Sequence, residues 1–358
     1  MIVEADQSCD TSLEQPQAMI GIITRVSLVV GVIIFVIVAH VLIAVVFVVL
    51  FLVADCYFTP LNDETLAEDL KLIHELSNVG DNLMIPRTSM HVERYYTIVT
   101  DRDYALLERV IGPGMHTRLG DDNERQYDYV EIGHATHVLE IGCGKGHSQV
   151  LARRYTGVHF TGVDIVAQHI AAAKAATADL NNVEYIQADA TVNLSWLGQR
   201  KFQVIFGVES LRHIDTEDKM AYFVEQARAL LAPGGKLVIV DIFRSAGFAD
   251  AKTDQQMAMM LAEHCLFCTS MPSKQDWIRT VGMAPGVDIN LTADAMPFWV
   301  LWWRIARLLL HCFACFSSIL PDLSDTAVYS GLNLISLCTM AHALRGAAEY
   351  GVLEFEFQ

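Results

Sequence analysis

Between residues 136 and 243 the chain repeats one pattern. Five short runs rich in β-branched residues fall at 136–141, 159–164, 183–188, 202–208 and 236–243. Between them lie HSQVLARRY (147–155), VAQHIAAAKAATADL (166–180) and EDKMAYFVEQARALL (217–231), each with helical spacing. Strands that alternate with helices in this way predict an α/β fold, with a parallel sheet covered on both faces. Pro233-Gly234-Gly235 turns the chain into the fifth strand, and the alternating tail EYGVLEFEFQ predicts a last one.

The first predicted strand runs into VLEIGCGKGH (138–147), with Gly142, Gly144 and Gly146 spaced two apart. A glycine turn at a strand end lets a ligand approach bare backbone, because no Cβ stands in the way. In a doubly wound sheet the ligand crevice lies at the carboxyl ends of the strands. Acids sit at four successive strand ends there: Glu140, Asp164, Asp189 and Glu209. A carboxylate at Glu140 would repel a pyrophosphate but suits a ligand with an ammonium group. Asp164 can accept ribose hydroxyls, and Asp189 can meet an adenine amino group. The glycine spacing is G-x-G-x-G, which argues against a nicotinamide dehydrogenase.

Formal net charge is −17, with 42 acidic against 25 basic residues, so no nucleic-acid partner is expected. The eight cysteines are scattered and read as reduced, packed thiols rather than a disulfide framework. The pattern His-Cys-x-x-Cys occurs at 264–268 and 311–315, but in apolar helical runs without turn residues, so no metal site is expected.

These motifs together resemble the class I S-adenosylmethionine-dependent methyltransferases. VLEIGCGKG looks like the family's first motif, GVDI and QADA its second- and third-strand acids, and FQVIFGVESLRHI and LLAPGGKLVIVDIF its fourth- and fifth-strand motifs. The resemblance implies a doubly wound, mostly parallel seven-stranded sheet whose reversed final strand is 351–357. It implies S-adenosylmethionine as methyl donor. Gly142, Gly144 and Gly146 would then approach the methionine moiety, with Glu140 nearby. Asp164 and Ile165 would take the ribose, Asp189 and Ala190 the adenine, and Gly207 and Val208 the sulfonium side.

More narrowly, VERYYTIVTD (92–101) is similar to the segment that caps the cofactor in sterol C-methyltransferases, and ESLRH (209–213) to the E-x-x-x-H after their fourth strand. Where those enzymes continue with an aromatic, glycine-rich stretch, this chain has RDYALLERVIGPGMH. The sterol and tocopherol type of small-lipid methyltransferase implies a hydrophobic small molecule or lipid as acceptor, of sterol, terpenoid or prenylquinone kind. Tyr96 then belongs to the cofactor cap, and Glu209 and His213 are the catalytic candidates. An ordinary imidazole titrates near neutrality and could act as a base. Glu209 and the tyrosine faces could steady positive charge. A methyltransferase for a small polar metabolite and a non-catalytic donor binder are the alternatives.

Upstream, residues 28–54 are almost unbroken Val, Ile, Leu, Phe and Ala. A helix of that length, about 40 Å, exceeds the roughly 30 Å hydrocarbon core. The expected organisation is a short acidic N-tail (1–26), a transmembrane helix (27–54), a linker with an amphipathic helix capped at Asn62 or Asp63 (55–90), and a methyltransferase domain (91–358). A helical insertion precedes the last strand, at about 296–348. Its start, MPFWVLWWRIARLLL, sets tryptophans beside arginines as a membrane-interface helix would. The expected placement is a single-pass membrane protein with its catalytic domain facing the cytosol, at the endoplasmic reticulum in a eukaryote.

Overall fold

Seven strands form a single sheet in the order β3-β2-β1-β4-β5-β7-β6. In chain order they are β1 (His137–Ile141), β2 (His159–Asp164), β3 (Val183–Gln187), β4 (Phe202–Val208), β5 (Leu231–Arg244), β6 (Val287–Asn290) and β7 (Ala348–Glu356). The computed structural model describes residues 59–77, 89–99, 119, 125–316 and 325–358. All belong to one compact unit, Thr59–Gln358. The helices are α1 (Asp63–Ser77), α2 (Ser89–Val99), α3 (Gln149–Arg154), α4 (Ala167–Ala176), α5 (Glu217–Leu230), α6 (Thr253–Cys265), α7 (Lys274–Val281), α8 (Thr292–Phe316) and α9 (Asp325–Ala343).

β1 to β5 are parallel, and β7 runs antiparallel to both β5 and β6. The five predicted parallel strands and the reversed last strand are all present, but β5 starts at Leu231, so Pro233-Gly234-Gly235 lies within it at a register shift, and β7 starts at Ala348. β6 is the addition. Its four residues alternate in exposure along a sheet edge, too short a run to read from the sequence.

Alternation along the strands builds two cores. Val138, Val204, Phe206, Val238, Val240 and Val352 face one side, where α6, α8 and α9 pack. Leu139, Ile205, Leu237, Ile239, Leu353 and Phe355 face the other, against α5 and α7. The sheet order reverses at β1, between β2 and β4, so the crevice of a doubly wound fold opens beside the β1 turn.

Asn62 caps α1: its Oδ1 accepts from Thr65 N at 3.0 Å, while Thr65 Oγ1 accepts from Asn62 N at 3.0 Å. The buried face of α1 carries Leu66, Ile73 and Asp69. Asp69 accepts from Trp303 Nε1 at 2.7 Å and lies 2.9 Å from His342 Nε2 and 2.9 Å from Arg307 Nε. One carboxylate thus ties α1 to α8 and α9.

This corrects the reading of the insertion as a membrane-interface helix. Trp299, Trp302, Trp303 and Arg307 of α8 are buried within the protein. A tryptophan-arginine cluster reads alike in sequence for a bilayer surface and for a buried ion pair, and here Asp69 supplies the buried partner. The expected single-pass placement, with the catalytic domain toward the cytosol or at the endoplasmic reticulum, is corrected as well. Among the described residues no helix is long and apolar enough to cross a membrane. The apolar run at 27–54 and the N-tail lie outside the described residues, as does the RDYALLERVIGPGMH stretch.

Candidate active site

The β1 turn shows what each glycine does. Gly142 N and Cys143 N both donate to Val163 O, at 2.8 and 3.0 Å, pinning the turn to β2. Gly142 has φ +71°, and a Cβ there would stand 2.4 Å from Ser210 Cβ. Gly146 has φ +79°, and its Cβ would meet Tyr185 Oη and Ala173 Cβ, each at 2.9 Å. These two are glycine because the protein itself packs against them. Gly144, at φ +51°, has nothing within 4 Å of its would-be Cβ and lines a cavity. Gly142 lines the same cavity, but of the three only Gly144 has open space where a Cβ would stand. Gly207, on β4, is again a packing glycine: its Cβ would meet Leu211 Cγ at 2.6 Å.

The acids divide in the same way. Asp164, Asp189 and Glu209 line the cavity at the ends of β2, β3 and β4. Asp164 accepts Gly144 N–H on Oδ2 at 2.9 Å and Val166 N–H on Oδ1 at 2.8 Å, which fixes its carboxylate at the crevice. Asp189 accepts Thr191 N–H and the Thr191 hydroxyl, both on Oδ1, at 2.8 and 2.6 Å. Glu140 is different: it is buried beneath the turn and receives the Ser148 hydroxyl. Burial pushes its pKa up to about 8, against the opposing effect of that hydrogen bond. The expectation that Glu140 offers a negative charge to the crevice is corrected: its carboxyl is neutral at pH 7 and is not among the lining residues.

Glu209, Arg212, Tyr96 and His213 also line the cavity, each held by a partner. Glu209 leaves β4 with φ +54°, a left-handed conformation that is costly for a glutamate. Its Oε1 accepts the Tyr350 hydroxyl at 3.0 Å. Arg212 donates from its backbone N and from Nη1 to the two oxygens of Asp241, at 2.9 and 3.1 Å. Asp241 is buried, and burial lifts its pKa to about 6 although Arg212 pulls it down. Tyr96 Oη lies 2.9 Å from His213 Nε2, and Cys268 Sγ lies 3.5 Å from Nδ1 of the same ring.

Burial, followed by the charge of Arg212, depresses the His213 pKa to about 3. That corrects the expectation of a base near neutrality. His213 is uncharged across the physiological range, and its conjugate acid is too strong for it to hold a proton there. Burial pushes the Cys268 thiol up, so it stays protonated and inert.

A second cavity adjoins the first. Tyr96, Glu209 and Arg212 line both. The rest of its wall is mostly aromatic and apolar, with Tyr95, Phe298, Trp299, Trp302, Leu337 and Met340 beside the polar Asn333 and Ser336. Tyr95 is held by a 2.9 Å bond from its hydroxyl to Asn333 Oδ1. Tyr95 and Tyr96 pack edge to face, with centroids 5.0 Å apart.

Of the residues expected at the site, Tyr96, Gly142, Gly144, Asp164, Ile165, Asp189, Ala190, Val208, Glu209 and His213 line the first cavity. Glu140, Gly146 and Gly207 support it from behind. Sequence reading offered Tyr95 with Tyr96 as ring faces for positive charge, but missed Arg212, Asp241, Tyr350 and the rest of the aromatic wall. Asp241 was legible in principle, as an acid inside the apolar run VIVDIF. Among the described residues no group of three or more His, Cys, Asp or Glu is placed to hold a metal ion.

Residues 138–235 match a family described as a methyltransferase domain. The chain is 24% identical over 209 residues to the 27-O-demethylrifamycin SV methyltransferase of Amycolatopsis mediterranei, covering 54% of this chain and 75% of that enzyme. It is 30% identical over 142 residues to phosphoethanolamine N-methyltransferase 1 of Triticum aestivum, of which it spans 28%. The crystal structure of the [4+2]-cyclase SpnF shares the fold, with TM-score 0.56 at 15% identity over 76% of this chain and 97% of the cyclase. A cyclase on the same fold shows that architecture alone does not name a reaction. The matched domain does so here, and the open backbone at Gly144, with acids at the ends of β2 and β3, fits an adenosyl ligand. On these grounds the chain carries a class I S-adenosylmethionine-dependent methyltransferase domain, and S-adenosylmethionine is its methyl donor.

Proposed function

We propose that the enzyme methylates a hydrophobic small molecule, of sterol, terpenoid or prenylquinone kind, held in the second cavity. The observation that supports this most is the aromatic chamber that meets the donor cavity at Tyr96, Glu209 and Arg212. Acceptor sites are apolar enclosures with a few placed polar groups, and this one has that composition. The relatives named for rifamycin and phosphoethanolamine substrates do not decide between acceptors, since their substrates differ widely.

In this reading Asp164 and Ile165 hold the ribose, Asp189 and Ala190 the adenine, and Gly144 and Val208 the methionine end. Bound S-adenosylmethionine supplies an electrophilic methyl: the acceptor's electron pair forms the new bond while the carbon–sulfur pair stays on sulfur, leaving S-adenosylhomocysteine. The protein's part is to align acceptor and methyl and to keep water out. Glu209, at the junction, takes the proton of a hydroxyl or amine acceptor, or steadies positive charge on an alkene carbon. His213 is a positioning residue that orients Tyr96 through its 2.9 Å contact.

The test is incubation of purified protein with methyl-labelled donor and extract fractions graded from apolar to polar, with labelled products read by mass. Label in apolar fractions is expected. Glu209→Gln should lower turnover about a hundredfold, with donor affinity little changed. Label confined to polar fractions would favour the small polar metabolite instead.

A further inference from the structure

Two nitrogens in the walls of the second chamber are without a hydrogen-bond partner among the described residues: Trp299 Nε1 and Arg212 Nε. Both atoms are buried, and both side chains line the chamber, Arg212 where it borders the first cavity. Leaving a buried N–H unmet is unfavourable, and native proteins rarely do so without cause. Indole and guanidinium nitrogens can only donate. Their natural counterpart is therefore a lone pair on something that enters the chamber. An ammonium group has no lone pair and could satisfy neither. The remaining wall, from Tyr95, Phe298 and Trp302, offers ring faces and edges suited to a flat apolar body.

We infer that the acceptor is a ring-bearing apolar molecule with at least one lone-pair oxygen, which accepts from Trp299 Nε1 and Arg212 Nε. This rests on the second chamber being the acceptor site. Arg212 is already anchored through Nη1 to Asp241, so its Nε is presented by a fixed fork. The oxygen orients the acceptor, and the aromatic wall supplies its affinity.

The test uses two isosteric probes, 2-acetylnaphthalene and 2-isopropylnaphthalene, titrated into the full chain saturated with S-adenosylhomocysteine. The ketone should bind at least about tenfold more tightly than the hydrocarbon. In ¹⁵N spectra of the five indole groups, the Trp299 resonance, assigned by its loss in Trp299→Phe, should move with the ketone and not with the hydrocarbon. Trp299→Phe should shrink the preference to about threefold or less while S-adenosylhomocysteine affinity is unchanged. Equal affinity of the two probes for the wild type would overturn the oxygen inference and leave the chamber as an acceptor site. Failure of both probes to bind, with S-adenosylhomocysteine bound normally, would overturn the chamber reading itself.

Discussion

Glu140→Gln should stabilise the protein at neutral pH and leave donor binding intact. Glu140 is buried under the glycine turn, where its carboxyl receives the Ser148 hydroxyl. Burial raises its pKa from 4.5 to about 8. In the unfolded chain the group ionises near 4.5, so between these values the native state holds a proton the unfolded state has shed. Stability therefore falls as pH rises across that window. By pH 7 about 2.5 pH units have been crossed, at about 1.36 kcal/mol each, so the loss is about 3 kcal/mol. Glutamine has the shape of the protonated acid, cannot ionise, and can still accept from Ser148. Urea denaturation should find the variant within about 1 kcal/mol of wild type at pH 5, with an advantage growing toward about 3 kcal/mol at pH 7.5. Calorimetric titration with S-adenosylhomocysteine should give affinities within about threefold. An unchanged stability difference at the two pH values, with a tenfold or greater loss of donor affinity (about 1.4 kcal/mol), would refute the reasoning. Glu140 would then act as an ionised ligand.

The other predictions use the same contacts. His213 is held neutral down to about pH 3 in the fold, while unfolded histidine protonates below about 6.5, so stability should fall as pH drops through that range. At pH 5 the loss is about 2 kcal/mol, and His213→Gln should flatten it in urea melts. Gly146→Ala should cost about 2–3 kcal/mol, since its Cβ would strike Tyr185 and Ala173. Gly144→Ala should cost only about 1 kcal/mol of backbone strain, yet weaken donor binding more than Gly146→Ala does relative to its stability cost; thermal melts paired with titration separate the two. Asp69→Asn should cost about 3 kcal/mol by removing the buried charge that faces Arg307 and His342, leaving Arg307 only the half-exposed Glu68, with donor affinity unmoved.

The parallel part of the sheet was legible because its central strands β1, β4 and β5 are buried on both faces and read as apolar runs, while the half-exposed β3 was read from its place between helices. β6 was not, since VDIN alternates at an edge and is only four residues long. The glycine turn was legible as a site, but the sequence could not tell Gly144 from Gly142 and Gly146. Their difference lies in Ser210, Tyr185 and Ala173, which the fold brings up from other elements. Glu140 and His213 misled for one reason: residue type suggests ordinary titration, whereas burial decides it. Trp299, Trp302 and Arg307 carried a true signal of aromatic and ionic packing, but its partner, Asp69, lies more than 200 residues away in sequence.

The central claim is that donor and acceptor chambers join at Tyr96, Glu209 and Arg212. A crystal structure of the S-adenosylhomocysteine complex tests it most directly. The adenine should lie by Asp189, the ribose hydroxyls by Asp164, and the sulfur should point to that junction. A nucleoside bound elsewhere, or a sulfur directed away from Glu209 and Arg212, would contradict it.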